Sequence, residues 1–169
     1  MTYRIYLEEI RKWKAQTGRS LQPPASEQDI LELRRSSLAE LGTDIPAGYA
    51  DLLRVTDGLC FGGLCIYATR RVRVDLGHRT YDIEGFVEAT LVWRSMDDDG
   101  ADLLVFGEGD IDIYIYNPAN SRYEVQDRGS RDIVAAYPSF DELMEKALWT
   151  GLPPDLRAKF PPRPKGERL

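Results

Sequence analysis

Between Ser95 and Asp112 the chain carries seven carboxylates (Asp97, Asp98, Asp99, Asp102, Glu108, Asp110 and Asp112) and no lysine or arginine. Two chemistries use such a run. One is ligation of a hard cation: Asp97, Asp98, Asp99 and Asp102, with Glu108 at the twelfth position counted from Asp97, outline a calcium loop. That pattern needs alternating ligands between two helices, whereas these residues run straight into the apolar segment Leu103 to Phe106. The reading is therefore a solvated turn, and no metal is expected. The other chemistry is electrostatic docking. A hairpin that brings the loop before its first strand near the end of its second gathers the seven acids into one surface for a basic protein partner. Such a patch raises the association rate and weakens with salt.

Other chemistry-bearing residues are sparse. His78 is the only histidine, beside Gly77 and Arg79 in a polar loop. It has no second histidine for a zinc motif and no nearby serine or cysteine for a triad. Gly58 to Gly63 contains no lysine and no helix signal follows, so a phosphate loop is excluded. Cys60 and Cys65 flank Phe61, Gly62, Gly63 and Leu64; two cysteines build neither a disulfide framework nor a four-ligand zinc site. Their spacing is not that of thiol oxidoreductases, and buried free thiols are expected. Arg70, Arg71, Arg73 and Arg79 make a smaller basic group, but few aromatics interleave with it, so nucleic-acid binding is not expected. No catalytic residue and no cofactor is expected.

The chain of 169 residues has a net charge of −6, unevenly spread. Residues 157–169 hold five bases and one acid, leaving 17 bases and 27 acids in residues 1–156. An acidic body argues against general affinity for DNA or RNA and suits a basic protein partner. The length predicts one domain, 1–156, followed by a basic, proline-rich mobile tail, 157–169. No apolar run approaches a membrane span, and the opening MTYRIYLEEIRKWK lacks the core of a signal peptide, so a cytoplasmic protein is expected.

The elements that position these residues centre on Leu103 to Tyr116. An apolar run is followed by Gly107 and Gly109, then by alternation of Ile111, Ile113 and Ile115 with Asp112, Tyr114 and Tyr116. Period two places these sets on opposite faces of a strand, and two glycines suit a tight turn. A central β-hairpin follows, whose Tyr114 and Tyr116 side is either a binding platform or packs under a helix. Helical spacing marks residues 3–17 (Tyr3, Tyr6, Leu7, Ile10, Trp13), a second helix capped by Ser26 (Ile30, Leu33, Leu38, Leu41), and a short third opened by Pro46. One reading has Asp82 capping another helix, with Ile83, Phe86, Val87 and Leu91 at helical spacing; the other makes Thr90 to Trp93 a strand. Arg70 to Val74 reads as an exposed strand, and Tyr123 to Asp127 as a further antiparallel one. Ser139 and Glu142 form a capping box for a closing helix with Phe140, Leu143, Met144, Ala147 and Leu148 on one face. Helices segregated from turn-linked strands predict an α+β domain, an antiparallel sheet backed by N-terminal helices and a C-terminal helix.

With these residues in view the chain resembles the SMI1/KNR4 (SUKH) superfamily in its bacterial members. Three elements carry the likeness in order. Ile45, Pro46, Tyr49, Leu52, Leu53, Asp57 and Gly58 are similar to the family's Leu-Pro, Tyr, Leu-Leu, Asn-Gly signature, with Asp57 where asparagine is usual. Phe106, Gly107, Gly109 and Asp110 through Ile113 to Tyr116 are similar to its central strand pair, and Ser139, Phe140 and Leu143 to its closing helix. The likeness spans residues 45–148. It implies an α+β fold and a non-enzymatic immunity protein that binds and neutralises a cognate toxin of interbacterial competition, for instance a basic nuclease. The alternative is a regulatory interaction module of the same fold; a small hydrolase or deaminase lacks a visible nucleophile, base or metal cluster. The motif implies fold-determining roles: Tyr49, Phe106 and Phe140 in the core.

Overall fold

The turn at Gly109 closes the central hairpin with a Gly109 N–H to Asp112 carbonyl bond of 2.7 Å. In the computed structural model, which describes residues 3–97 and 102–161, this hairpin is β5 (Leu104–Glu108) and β6 (Asp112–Asn117). It lies in the middle of an antiparallel sheet ordered β1-β2-β5-β6-β7-β8. The partners are β1 (Leu59–Phe61), β2 (Leu64–Ile66), β7 (Arg122–Asp127) and β8 (Ile133–Tyr137). β8 was not foreseen in the sequence. A bulge at Phe106 lets Val105 face Ile115 while Gly107 faces Tyr114. Gly107 is required there because a Cβ would meet the Cys65 carbonyl oxygen of β2 at 2.4 Å. The period-two expectation holds from Asp112 onward; Ile111 belongs to the turn and is 70% exposed.

The helices are α1 (Arg4–Ala15), α2 (Glu27–Ser36), α3 (Ala47–Leu53), α4 (Phe86–Ser95), α5 (Phe140–Gly151) and α6 (Pro154–Arg157). Among the described residues these six helices with the antiparallel sheet make the fold α+β. α5 packs on β2, β7 and β8 and receives α1 and α3 on its other side. Ser26 and Asp29 form the reciprocal capping box of α2, at 3.1 Å each way. At α5, Ser139 accepts from the Glu142 N–H but bonds the Glu142 carboxylate through its own hydroxyl, so that box is only half formed. A π turn at Ser37–Leu41 rotates the end of α2, which is why Leu41 is buried and Leu38, expected on the same stripe, is exposed.

The core is an aromatic cluster. Tyr49 lies 5.0 Å from Phe86 and 5.1 Å from Phe106, and Phe106 lies 5.1 Å from Phe140. Each such side chain stabilises by about 1.5–3 kcal/mol through burial. The Tyr49 hydroxyl donates to the Tyr67 carbonyl at 2.7 Å, so the one polar atom on this ring is satisfied. Tyr114 is also buried and lines one cavity with Thr150 and Gly151 of α5, so it packs under a helix.

Three expectations are corrected. Cys60 and Cys65 are half-buried and disulfide-bonded, not free thiols. They are direct cross-strand partners in β1–β2, with Cα atoms 4.1 Å apart, because the turn between the strands is only Gly62–Gly63. Of the two readings of residues 82–93 the helix holds for Phe86, Val87 and Leu91, with Thr90 to Trp93 helical, but Asp82 and Ile83 lie in strand β4 (Thr80–Ile83), so α4 starts after Gly85 and Asp82 does not cap it. Residues 157–160, expected to open the tail, are packed. Arg157 bonds the carbonyls of Thr150 and Leu152, and the Phe160 ring lies 4.7 Å from Tyr6. β3 (Val72–Asp75) and β4 (Thr80–Ile83) pair as a separate ribbon.

Candidate functional site

Two of the seven acidic positions, Asp98 and Asp99, lie outside the described residues. The other five are spread along the hairpin. Asp102 is exposed ahead of β5, about 20 Å along an extended chain from Glu108. Asp110 is exposed in the turn, and Asp112 is half-buried at the start of β6. Burial pushes the Asp112 carboxyl above its ordinary value, Lys146 opposing and Asp127 adding to the shift. Asp97 and Glu108 each meet an arginine of the β7–β8 loop: Asp97 lies 3.9 Å from Arg131, and Glu108 lies 3.0 Å from Arg128. The stretch has no base of its own, but the fold supplies two from more than fifteen residues downstream.

Around that loop opens a cleft of about 570 Å³. Tyr67, from the end of β2, and Trp93, from α4, share its wall, the indole N–H donating to the Tyr67 oxygen at 2.9 Å. Burial holds the Tyr67 phenol well above its usual pKa, with Trp93 pulling it down and the Glu108 carboxylate pushing it up. The Arg128 and Arg131 guanidinium groups lie over the Trp93 ring at 5.9 and 5.2 Å. Glu84 and Glu88 stand at the cleft; Glu88, in the first turn of α4, is exposed and has no ion-pair partner among the described residues. Val92 and Met96, 52% and 68% exposed, are one helical turn apart on α4 and form an apolar rim.

The polar groups lining this cleft are Tyr67, Trp93, Arg128 and the carboxylates Glu84, Glu88 and Glu108. What it offers is apolar area bounded by carboxylates, which fits a surface carrying apolar and basic side chains. Of its residues the sequence reading singled out only Glu108 as a binding candidate. Tyr67, Glu88, Trp93 and Arg128 come from separate elements, and no local pattern links them.

The basic group resolves differently. Arg70 pairs with Asp29, Arg71 with Asp82, and Arg73 with Asp82 at 3.0 Å. The two guanidinium groups hold the Asp82 carboxyl down at about 2. Only Arg79 of the four has no ion pair among the described residues, and His78 is exposed in the turn beside it. Asp57, at the position where the resembled family has asparagine, accepts from the Thr69 N–H at 2.7 Å and hydroxyl at 2.8 Å, a structural role.

Among the described residues no three His, Cys, Asp or Glu side chains are grouped to hold a metal ion, and no helix is long and apolar enough to cross a membrane. Compared with family models, with curated proteins and with solved structures, the chain matches none.

Proposed function

We propose that this chain is an immunity protein of the SMI1/KNR4 type, which neutralises a cognate toxin of interbacterial competition by stoichiometric binding. The observation that carries the reading is the rim of α4, where Val92 and Met96 face solvent beside Glu88, a carboxylate with no ion-pair partner among the described residues. Apolar side chains exposed next to carboxylates are what a basic partner surface needs: the apolar area supplies burial, the acids supply steering. The residues carrying the family likeness, Tyr49, Phe106 and Phe140, are all in the core, which agrees with a motif that builds the fold and leaves binding to the surface. A nuclease toxin, with a basic phosphate-binding site, is the partner class that such a surface suits.

The test starts with tagged protein captured from its native cells with and without a salt wash. The captured polypeptide is then produced in a naive host. Growth arrest relieved by equimolar co-expression of this chain, and not by Val92→Asp/Met96→Asp, supports the proposal. A partner that is harmless to the host points to the regulatory module instead. A cytoplasmic site of action belongs to the same proposal. The Cys60–Cys65 disulfide weighs against it, since such bonds are rare in a reducing cytosol. Thiol labelling in intact cells decides: rapid labelling of both cysteines agrees with the cytoplasm, and protection places the protein in an oxidising compartment.

A further inference from the structure

We propose that the cleft between the end of α1 and the β3–β4 ribbon is a binding site for a small organic phosphate, held by Lys14, Arg19 and Arg79. Lys14 is only 6% exposed, although it carries an ammonium group. Among the described residues its ammonium has one partner, the Cys60 carbonyl at 3.2 Å, which uses one of three donors. Lys14, Arg19 and Arg79 have no ion-pair partner among the described residues, whereas Arg71 and Arg73 of the same ribbon are both neutralised by Asp82. A buried cation without a carboxylate is costly, and a chain keeps one where something else supplies the counter-charge.

The space for that counter-charge exists. Two adjoining cavities of about 410 and 380 Å³ share Lys14, Arg19 and Tyr81 as lining, the size of a small-ligand pocket. Arg79 lines the first, and Asp75 in the second is the one carboxylate lining either. One of its two oxygens accepts from the Gly77 N–H at 2.7 Å. Three cations against one acid leave two positive charges, which match a phosphate monoester with its −1.5 to −2 at neutral pH better than a monocarboxylate. Two arginines provide the planar fork that grips phosphate oxygens in pairs, and the lysine adds a point charge. Tyr81, and Trp13 at the mouth by the disulfide hairpin, give a flat apolar wall for the organic part. Burial, with Arg19 adding, holds the Lys14 ammonium below its usual pKa, as expected of a cation with no anion beside it. A bound dianion reverses that balance. This site is separate from the cleft at Trp93, so its failure and that of the toxin-binding proposal are independent.

The experiment is calorimetric titration of the full chain with phenyl phosphate, with inorganic phosphate and benzoate as companions, and thermal melts alongside. Saturable 1:1 binding of phenyl phosphate, weaker binding of inorganic phosphate, and still weaker binding of benzoate are expected. Arg19→Gln/Arg79→Gln, both on the surface, should stay folded and bind about tenfold or more weakly. Arg73→Gln should bind like the parent. Lys14→Met should melt no lower than the parent without ligand, since it removes an uncompensated charge, and should lose the ligand-induced rise in Tm. No heat and no Tm shift with phenyl phosphate overturns the proposal. So does binding undiminished in Arg19→Gln/Arg79→Gln, and benzoate binding as tightly as phenyl phosphate overturns the phosphate assignment.

Discussion

The Thr90 hydroxyl of α4 stands beside Val105 where a strand would otherwise run. It accepts from the Val105 N–H at 3.2 Å and donates to the Val105 carbonyl at 3.3 Å. β2 accompanies β5 only as far as the Tyr67 N–H to Phe106 carbonyl bond, after which Ala68 turns to bond Glu84. The open edge of β5 is thus closed by one side chain, and Thr90 is fully buried in doing it. Arg94 reinforces the junction by bonding the carbonyls of Leu103 and Leu41.

Replacing Thr90 with valine keeps the shape and strands both Val105 groups. The expected loss is about 2 kcal/mol or more. Thr90→Ser keeps the hydroxyl, loses a methyl, and should cost about 1 kcal/mol. Urea unfolding of the two variants checks the order; valine equal to serine would show that the hydroxyl contributes nothing.

The disulfide closes a short loop across the β1–β2 turn. Loop-closure entropy for so few residues gives about 2 kcal/mol. Cys60→Ser/Cys65→Ser should therefore lower the urea midpoint without changing the slope, and reduction of the parent should reproduce it. A parent protein whose midpoint is unmoved by reductant would mean that the bond is not formed in solution.

Gly62 has φ +56° and a Cβ there would lie 2.1 Å from the Gly151 carbonyl oxygen in α5. Gly77 has φ +84° with nothing within 4 Å. Gly77→Ala pays backbone strain alone, about 1 kcal/mol. Gly62→Ala adds displacement of a helix end and should cost about 1–3 kcal/mol more. Matched thermal melts measure the difference; equal melts would show that the hairpin is free to move off α5.

Two carboxylates push the acid limb of stability in opposite directions. Asp112 is raised by burial, so the folded form keeps its proton to higher pH than the unfolded chain. Its contribution is complete below the unfolded value and is lost as pH rises through the folded one. Asp82, held at about 2 by hydrogen bonds from Arg73 and Arg71, contributes stability above its unfolded value that is lost as pH falls toward 2. Asp112→Asn should be at least as stable as the parent at neutral pH and converge with it below pH ~4. Asp82→Asn should be less stable at neutral pH and converge in acid. Stability measured by denaturant across this range tests both signs.

Local pattern in the sequence was enough for the central hairpin, the three N-terminal helices, α5 and the α+β class, because period two and period 3.6 report which way neighbouring side chains point. It was enough, too, to single out the acidic stretch, while the core places of Tyr49, Phe106 and Phe140, all three buried, were what the family resemblance implied. Tertiary structure decided what local pattern does not encode. Register across the Gly62–Gly63 turn set Cys60 against Cys65 and made a bond where free thiols were expected. Packing of the β7–β8 loop brought Arg128 and Arg131 to Glu108 and Asp97, which turned an unpaired acidic run into a partly neutralised cleft. The gathering of Lys14, Arg19 and Arg79 depends on where α1 ends relative to a ribbon more than fifty residues away. Charges far apart in sequence carry no periodicity, so only the folded chain determines which of them share a site.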